Sequence, residues 1–251
     1  MNRFASLLLV SLPIAAFVAC SSSSSGTSSG QATSDAGDTD AGDTDAGTGT
    51  GTQCTAARDQ ALLPINKVST GTVSVVSESN GTKLLYVDAS AGGINNAGKN
   101  PRVYVNLETA TRVDLTDTAA FDSKEWDLAL KRAVIYTNSG DMGIGVGGGA
   151  EIAKAFDAVT AADAASVAPE KLFDDQCTEQ KDPTGAPATT FSNWYDYDQA
   201  TNIPTPKPDL TYVVKGATGK LYKVGITSYM GLADGGTGQA GAMYLLKVAA
   251  L

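Results

Sequence analysis

The sequence predicts an all-β fold, mostly antiparallel, built as a single domain with one or two short helices. Three observations carry this reading. Runs of alternating apolar and polar residues recur from 72 to 248, the period of strands with one buried face. Tight-turn signals separate them, above all Asn80 followed by Gly81. Stretches with helical spacing are few and short, at 56–63 and at 150–160, where Ile152, Phe156 and Val159 share a face.

The elements follow in order. Val73 and Val75 alternate with Thr and Ser over 72–78, and Asn80-Gly81 turns the chain back into 83–87. Residues 102–107 alternate Val103, Val105 and Leu107 with polar neighbours. Trp126, Leu128 and Leu130 alternate again, and Val134 and Tyr136 continue on a shifted phase. A bulge or bend is therefore expected near Lys131 and Arg132. Residues 210–214 and 221–227, joined by a turn at 217–219, read as a second hairpin, and 242–248 as the last strand. The long connections at 88–101, 140–150 and 178–209 are places where function is often carried.

The first 52 residues read differently. Arg3 gives a small positive start, and 7–18 is an apolar run broken only by Ser11 and Pro13. That run is shorter than the roughly 20 apolar residues of a bilayer span. Phe17, Val18, Ala19 and Cys20 then form a lipobox, so residues 1–19 are expected to be a lipoprotein signal peptide and Cys20 the lipidated residue. A plain secretory signal is the other reading, and either one exports the chain. Residues 20–52 carry Ser, Gly and Thr, then a repeat of Asp, Ala, Gly and Thr with almost no apolar content. They are expected to form a disordered tether. The close aspartates do not make an EF-hand loop, because its terminal Glu is missing.

Residues 53–251 remain for the folded domain. The net charge of −9 argues against nucleic acid. With Cys20 lipidated, Cys54 and Cys177 are an even pair in an oxidising compartment. A disulfide is the default and two free thiols the alternative. The glycines at 143, 145 and 148 match the spacing of a dinucleotide-binding loop, yet 161–172 contains no buried parallel strand to complete such a unit. The chain has no histidine, which removes the usual triads, zinc sites and imidazole bases. No Gly-x-Ser-x-Gly elbow occurs, and the pair Asp174 and Asp175 sits in a polar, solvated stretch, so no enzyme is expected. Trp194, Tyr195 and Tyr197 form an aromatic group suited to a β core or its rim, or to a sugar platform.

Four segments, in order, resemble the HmuY family of haem-binding surface lipoproteins. They are 125–132, opening on Glu125, Trp126 and Asp127; 136–140, with Tyr136, Thr137, Asn138, Ser139 and Gly140; 194–197, with Trp194, Tyr195, Asp196 and Tyr197; and 211–229, with Tyr212, Tyr222 and Tyr229. The resemblance covers roughly 68–251. It implies the family's own all-β topology and a non-catalytic protein that binds or scavenges haem or another tetrapyrrole. It also implies a lipid anchor at the bacterial cell envelope, at the outer membrane or cell surface, with haem and an outer-membrane transporter as partners in iron acquisition. Family members hold iron between two axial side chains, often histidines and sometimes methionines. Here Met142 occupies the neighbourhood of the first ligand, while 150–193 supplies neither Met nor His for the second. Met230 and Met243 read as core fillers. The other implied reading is a surface interaction or structural lipoprotein that kept the fold and lost haem ligation.

Overall fold

A computed structural model describes residues 54–251. The signal peptide, Cys20 and the tether lie outside the described residues.

Among the described residues twelve strands form three antiparallel sheets. The first hairpin pairs β1 (Val73–Ser79) with β2 (Thr82–Asp88) through Asn80 and Gly81, both at positive φ as a tight primed turn demands. The remaining strands are β3 (Val103–Asn106), β4 (Thr111–Val113), β5 (Leu128–Lys131), β6 (Val134–Thr137), β7 (Gly148–Ile152), β8 (Tyr195–Asp198), β9 (Ile203–Pro206), β10 (Thr211–Lys215), β11 (Leu221–Ser228) and β12 (Met243–Ala250). The large sheet runs β1-β2-β12-β11-β10-β7, the small one β4-β3-β5-β6, and β8 and β9 make a separate hairpin.

The alternation read from the sequence sets the layers. Leu85, Val87, Tyr212, Val214, Tyr222, Val224, Ile226, Tyr244, Leu246 and Val248 of the large sheet meet Val103, Val105, Leu128, Leu130 and Ile135 of the small one in the main core. The opposite face of the small sheet is also buried. There Tyr104, Ala129 and Tyr136 join Trp126, Phe121, Met142, Leu172 and Phe173 in a second core. Both faces of β3, β5 and β6 thus carry apolar side chains, with the period-two register deciding which residue enters which core.

Helix α1 (Thr55–Leu62) covers the second core with Leu62, Ala57 and Ala61. At eight residues it is too short to persist alone in water, where about 12–15 are needed, so its packing holds it. The Cys54–Cys177 disulfide forms across the same core, with Cα atoms 5.3 Å apart and a sequence separation of 123. Helix α2 (Asp117–Ala120) starts at Thr116, whose side chain accepts from Ala119 N.

Three expectations need correction. Residues 150–160 are not a helix: 148–152 is strand β7 and only Phe156–Ala158 makes a 3-10 turn. The shared face of Ile152, Phe156 and Val159 was too sparse to separate helix from strand plus turn. The phase shift at Lys131 and Arg132 is a hairpin turn, with Lys131 opposite Val134 and Arg132 at φ 53°, rather than a bulge in one strand. The connection at 178–209 contains the β8–β9 hairpin, whose second strand carries two prolines and pairs only with β8. Helix α2 was not foreseen.

Candidate functional site

The glycine-rich loop at 143–147 leaves the small sheet and enters the large one at β7. Its residues alternate strictly. Glycines 143, 145 and 147 face inward, and Ile144 and Val146 face out, 39% and 56% exposed. Close approach fixes this pattern. A Cβ on Gly145 would stand 2.3 Å from the Asn138 carbonyl oxygen, and one on Gly147 the same distance from that of Lys215. Only glycine permits those contacts, so the apolar side chains are left to point outward.

Buried polar groups hold the loop. The Asn138 amide donates to Ser123 O and Trp126 O, each at 2.8 Å, and its Oδ1 accepts from Gly145 N at 3.1 Å. Val146 N donates to Ala217 O at 3.1 Å. Asp127 accepts from Leu107 N at 2.7 Å and Ala217 N at 2.8 Å, tying the β3–β4 turn to the β10–β11 turn. Burial pushes the Asp127 carboxyl up, and those two N–H groups pull it part of the way back.

Glu170 is the most heavily committed carboxylate of the region. One oxygen accepts from Thr137 N and Oγ1 at 3.0 and 3.1 Å, the other from Thr190 N and Oγ1 at 2.8 and 3.3 Å. Its own N–H donates to Ser139 Oγ at 2.9 Å. Burial raises its carboxyl above the usual 4.5, against the pull of the four donors. A raised folded-state value means that protonation favours the folded chain. That contribution is complete below the ordinary value and is lost as pH climbs through the raised one. Glu170→Gln, which turns a donor toward one threonine, is expected to cost about 1–3 kcal/mol at pH 4 and less toward pH 7. Urea unfolding across that range checks it, and a cost that grows with pH contradicts it.

Met142 ends the 3-10 turn Gly140–Met142 and is wholly buried. Its side chain belongs to the second core, with Trp126, Tyr136, Leu172 and Phe173. Asp141 beside it accepts from Leu172 N and Phe173 N at 2.7 and 3.2 Å, fixing the turn from outside. The thioether faces protein. Met230 packs partly buried on the main core, and the Met243 sulfur, at a half-buried position, accepts from Tyr86 Oη at 3.2 Å. Trp194 is in the main core, its ring 5.3 Å from Tyr229 and 5.6 Å from Tyr244. Tyr195 packs against it, and Tyr197 is exposed. Among the described residues no group of three or more Cys, Asp or Glu is placed to hold a metal ion, and no helix is long and apolar enough to cross a membrane. The candidate site is therefore the outward Ile144 and Val146 ledge. Sequence reading passed over it because the glycines drew attention as a nucleotide motif. Their alternation with Ile144 and Val146 was the usable signal.

The HmuY family profile, described as HmuY protein, matches residues 99–244, more than half of the 251-residue chain. The chain belongs to the HmuY family. The four ordered segments fall inside that match, and the mostly antiparallel architecture is that of HmuY-like proteins. Among solved structures the chain is similar to the apo HmuY analog of Tannerella forsythia, at 15% identity and a TM-score of 0.44, over 73% of this chain and 97% of that one. It is also similar to a candidate HmuY-like heme-binding protein of Bacteroides vulgatus, at 19% identity and 0.40, over 71% and 96%. A candidate lipoprotein of Bacteroides fragilis matches at 20% and 0.39, over 70% and 92%. None of the curated proteins is similar enough in sequence to count as a relative.

Proposed function

We propose that this HmuY-family chain is a lipid-anchored protein of the bacterial cell envelope that captures haem or a related tetrapyrrole without catalysis. Cys20 bears the anchor, the outer membrane or cell surface is its place, and an outer-membrane transporter is the onward partner. Family membership supports the ligand class. The observation that carries the site is the ledge of Ile144 and Val146, two exposed apolar side chains on a loop held by buried hydrogen bonds and inward-facing glycines. A macrocycle covering both would remove only the area still exposed, 39% for Ile144 and 56% for Val146, a gain of about 0.6–1.7 kcal/mol for each side chain. If Met142 ligates the iron, the 3-10 turn that carries it must open and release the thioether from the second core.

A second reading has its own observation. Met142 fills a close-packed core, and the chain has no histidine to replace it. That favours an envelope interaction lipoprotein that retained the fold and lost haem ligation. Haemin titration of the full chain carrying Cys20→Ser, which removes the lipid, separates the two. Capture predicts a saturable Soret shift, weakened about tenfold or more by Ile144→Asp with Val146→Asp. Met142→Leu keeps the volume and reports on ligation: loss of the shift assigns the thioether to iron. Absence of any shift in the parent chain leaves the interaction lipoprotein.

A further inference from the structure

We infer that the Cys54–Cys177 disulfide is the target of a dithiol reductant, and that its cleavage unlatches the segment that keeps the Met142 thioether buried. The use of such a latch rests on the haem-capture reading above.

Residues 171–180 form a strap that folds on itself. Gln180 N donates to Leu172 O at 2.7 Å and Asp174 N to Thr178 O at 3.0 Å, and Phe173 and Glu179 pair as an isolated bridge. The Asp174 carboxylate accepts from Gln176 N and Thr178 N at 2.9 and 2.8 Å and closes the tip. These internal ties let the strap move as one piece. Leu172 and Phe173 share the second core with Met142. The strap is held down there by the Asp141 carboxylate, which accepts from Leu172 N and Phe173 N, and by the bond from Cys177 to Cys54 at the head of α1. Asp141 precedes Met142 in the 3-10 turn, so strap and turn are joined. The main core includes neither cysteine nor Met142, so the strap can lift without opening it.

The bond is reached from one side. An open cleft of about 410 Å³ lies between α1 and the strap, lined by Ala57, Gln60, Ala61, Phe173, Cys177 and Glu179. Cys177 is thus the sulfur an incoming thiolate meets, whereas Cys54 is buried. Glu179 at the rim is paired with Lys181 at 3.2 Å, which offsets its charge. One thiolate of the reductant attacks Cys177 Sγ, and the Cys54 sulfur leaves and takes a proton. The second thiol attacks the mixed disulfide, frees Cys177 as a thiol and closes the reductant into its own disulfide. Two electrons and two protons pass to the protein. Helix α1, too short to persist alone, then loosens together with the strap. A thioether released from the core is a soft axial donor suited to haem iron.

The full chain carrying Cys20→Ser is treated with dithiothreitol and then iodoacetamide below its melting temperature, and amide hydrogen exchange is followed. Both cysteines should be alkylated. Exchange should quicken about tenfold or more at 55–62, 140–142 and 171–177, while 212–214 and 244–248 keep their protection. Hydrogen peroxide reads the thioether directly, because it converts accessible methionine to the sulfoxide. In the oxidised chain Met142 should be spared relative to the part-buried Met230 and Met243. In Cys54→Ser with Cys177→Ser, Met142 should oxidise about tenfold faster, with the other two unchanged. Leu246→Ala, which weakens the main core with the bond intact, should leave Met142 protected. A disulfide that resists dithiothreitol in the folded chain overturns the inference. So does a Met142 still protected once the bond is gone, or protection lost evenly over both cores. None of these readouts contains haemin, so failure here is distinct from failure of haem capture.

Discussion

Replacing Asp117 with alanine is expected to destabilise the domain by about 3–5 kcal/mol, the range for leaving one partner of a buried ion pair alone. Asp117 is fully buried at the start of α2 and is the hub of the contact between the small sheet and the N-terminal segment. It accepts from the Arg102 guanidinium at 3.1 Å, Arg102 N at 2.9 Å, Tyr104 Oη at 2.8 Å and Ile65 N at 3.1 Å. Arg102 in turn donates to Leu62 O at 3.0 Å and has its cation over the Tyr136 ring at 5.2 Å. Alanine strands a buried guanidinium and three further donors, and it frees the chain just after α1. Thermal melting should show a fall of roughly 10 °C. Arg102→Met together with Asp117→Leu removes both charges, and the pair is expected to cost much less than the sum of the single changes. Additive single and double values would contradict the ion-pair account.

Loss of the disulfide should be equally severe. Cys54 and Cys177 close a loop with a sequence separation of 123, for which the chain-entropy model gives about 5 kcal/mol. The bridge also joins α1 to the segment that follows Phe173, both of which pack on the second core. Cys54→Ser with Cys177→Ser, or reduction of the native chain, should lower the melting temperature by roughly 10–20 °C. The main core does not include either cysteine, so the folded state should survive at low temperature. An unchanged melt would show that the unfolded chain keeps these ends together without the bond.

The two cores differ in how far they could be read from the sequence. The main core follows from simple alternation, and Val103, Val105, Leu128, Leu130, Tyr212, Val214, Tyr244 and Leu246 all lie where period two puts them. The second core does not. Tyr104 and Ala129 stand at positions that alternation alone assigns to solvent, because nothing local announces that α1 and the 172–173 segment cover that face. Met142 shows the same gap. The family resemblance put it in a ligand loop, and the fold turns it inward against Trp126, a tertiary choice that no local pattern encodes. Nothing local in the sequence marks Asp117, Asp127 and Glu170 as buried carboxylates. Their roles depend on backbone N–H groups brought in from distant turns, up to 90 residues away for Asp127 and Ala217. Hairpins signalled by glycine were easily placed. The β8–β9 hairpin was missed because its prolines argue against a strand until it is seen to pair on one side only.

Mapping a diamagnetic haem analogue onto the chain tests the central claim most directly. Gallium protoporphyrin IX, added to the isotope-labelled full chain carrying Cys20→Ser, should shift the amides of 143–147 and of 217–219 beside them, in a saturable way. Saturable shifts confined to other surfaces, or no shifts at all, would contradict the account and leave the Ile144 and Val146 ledge without a ligand.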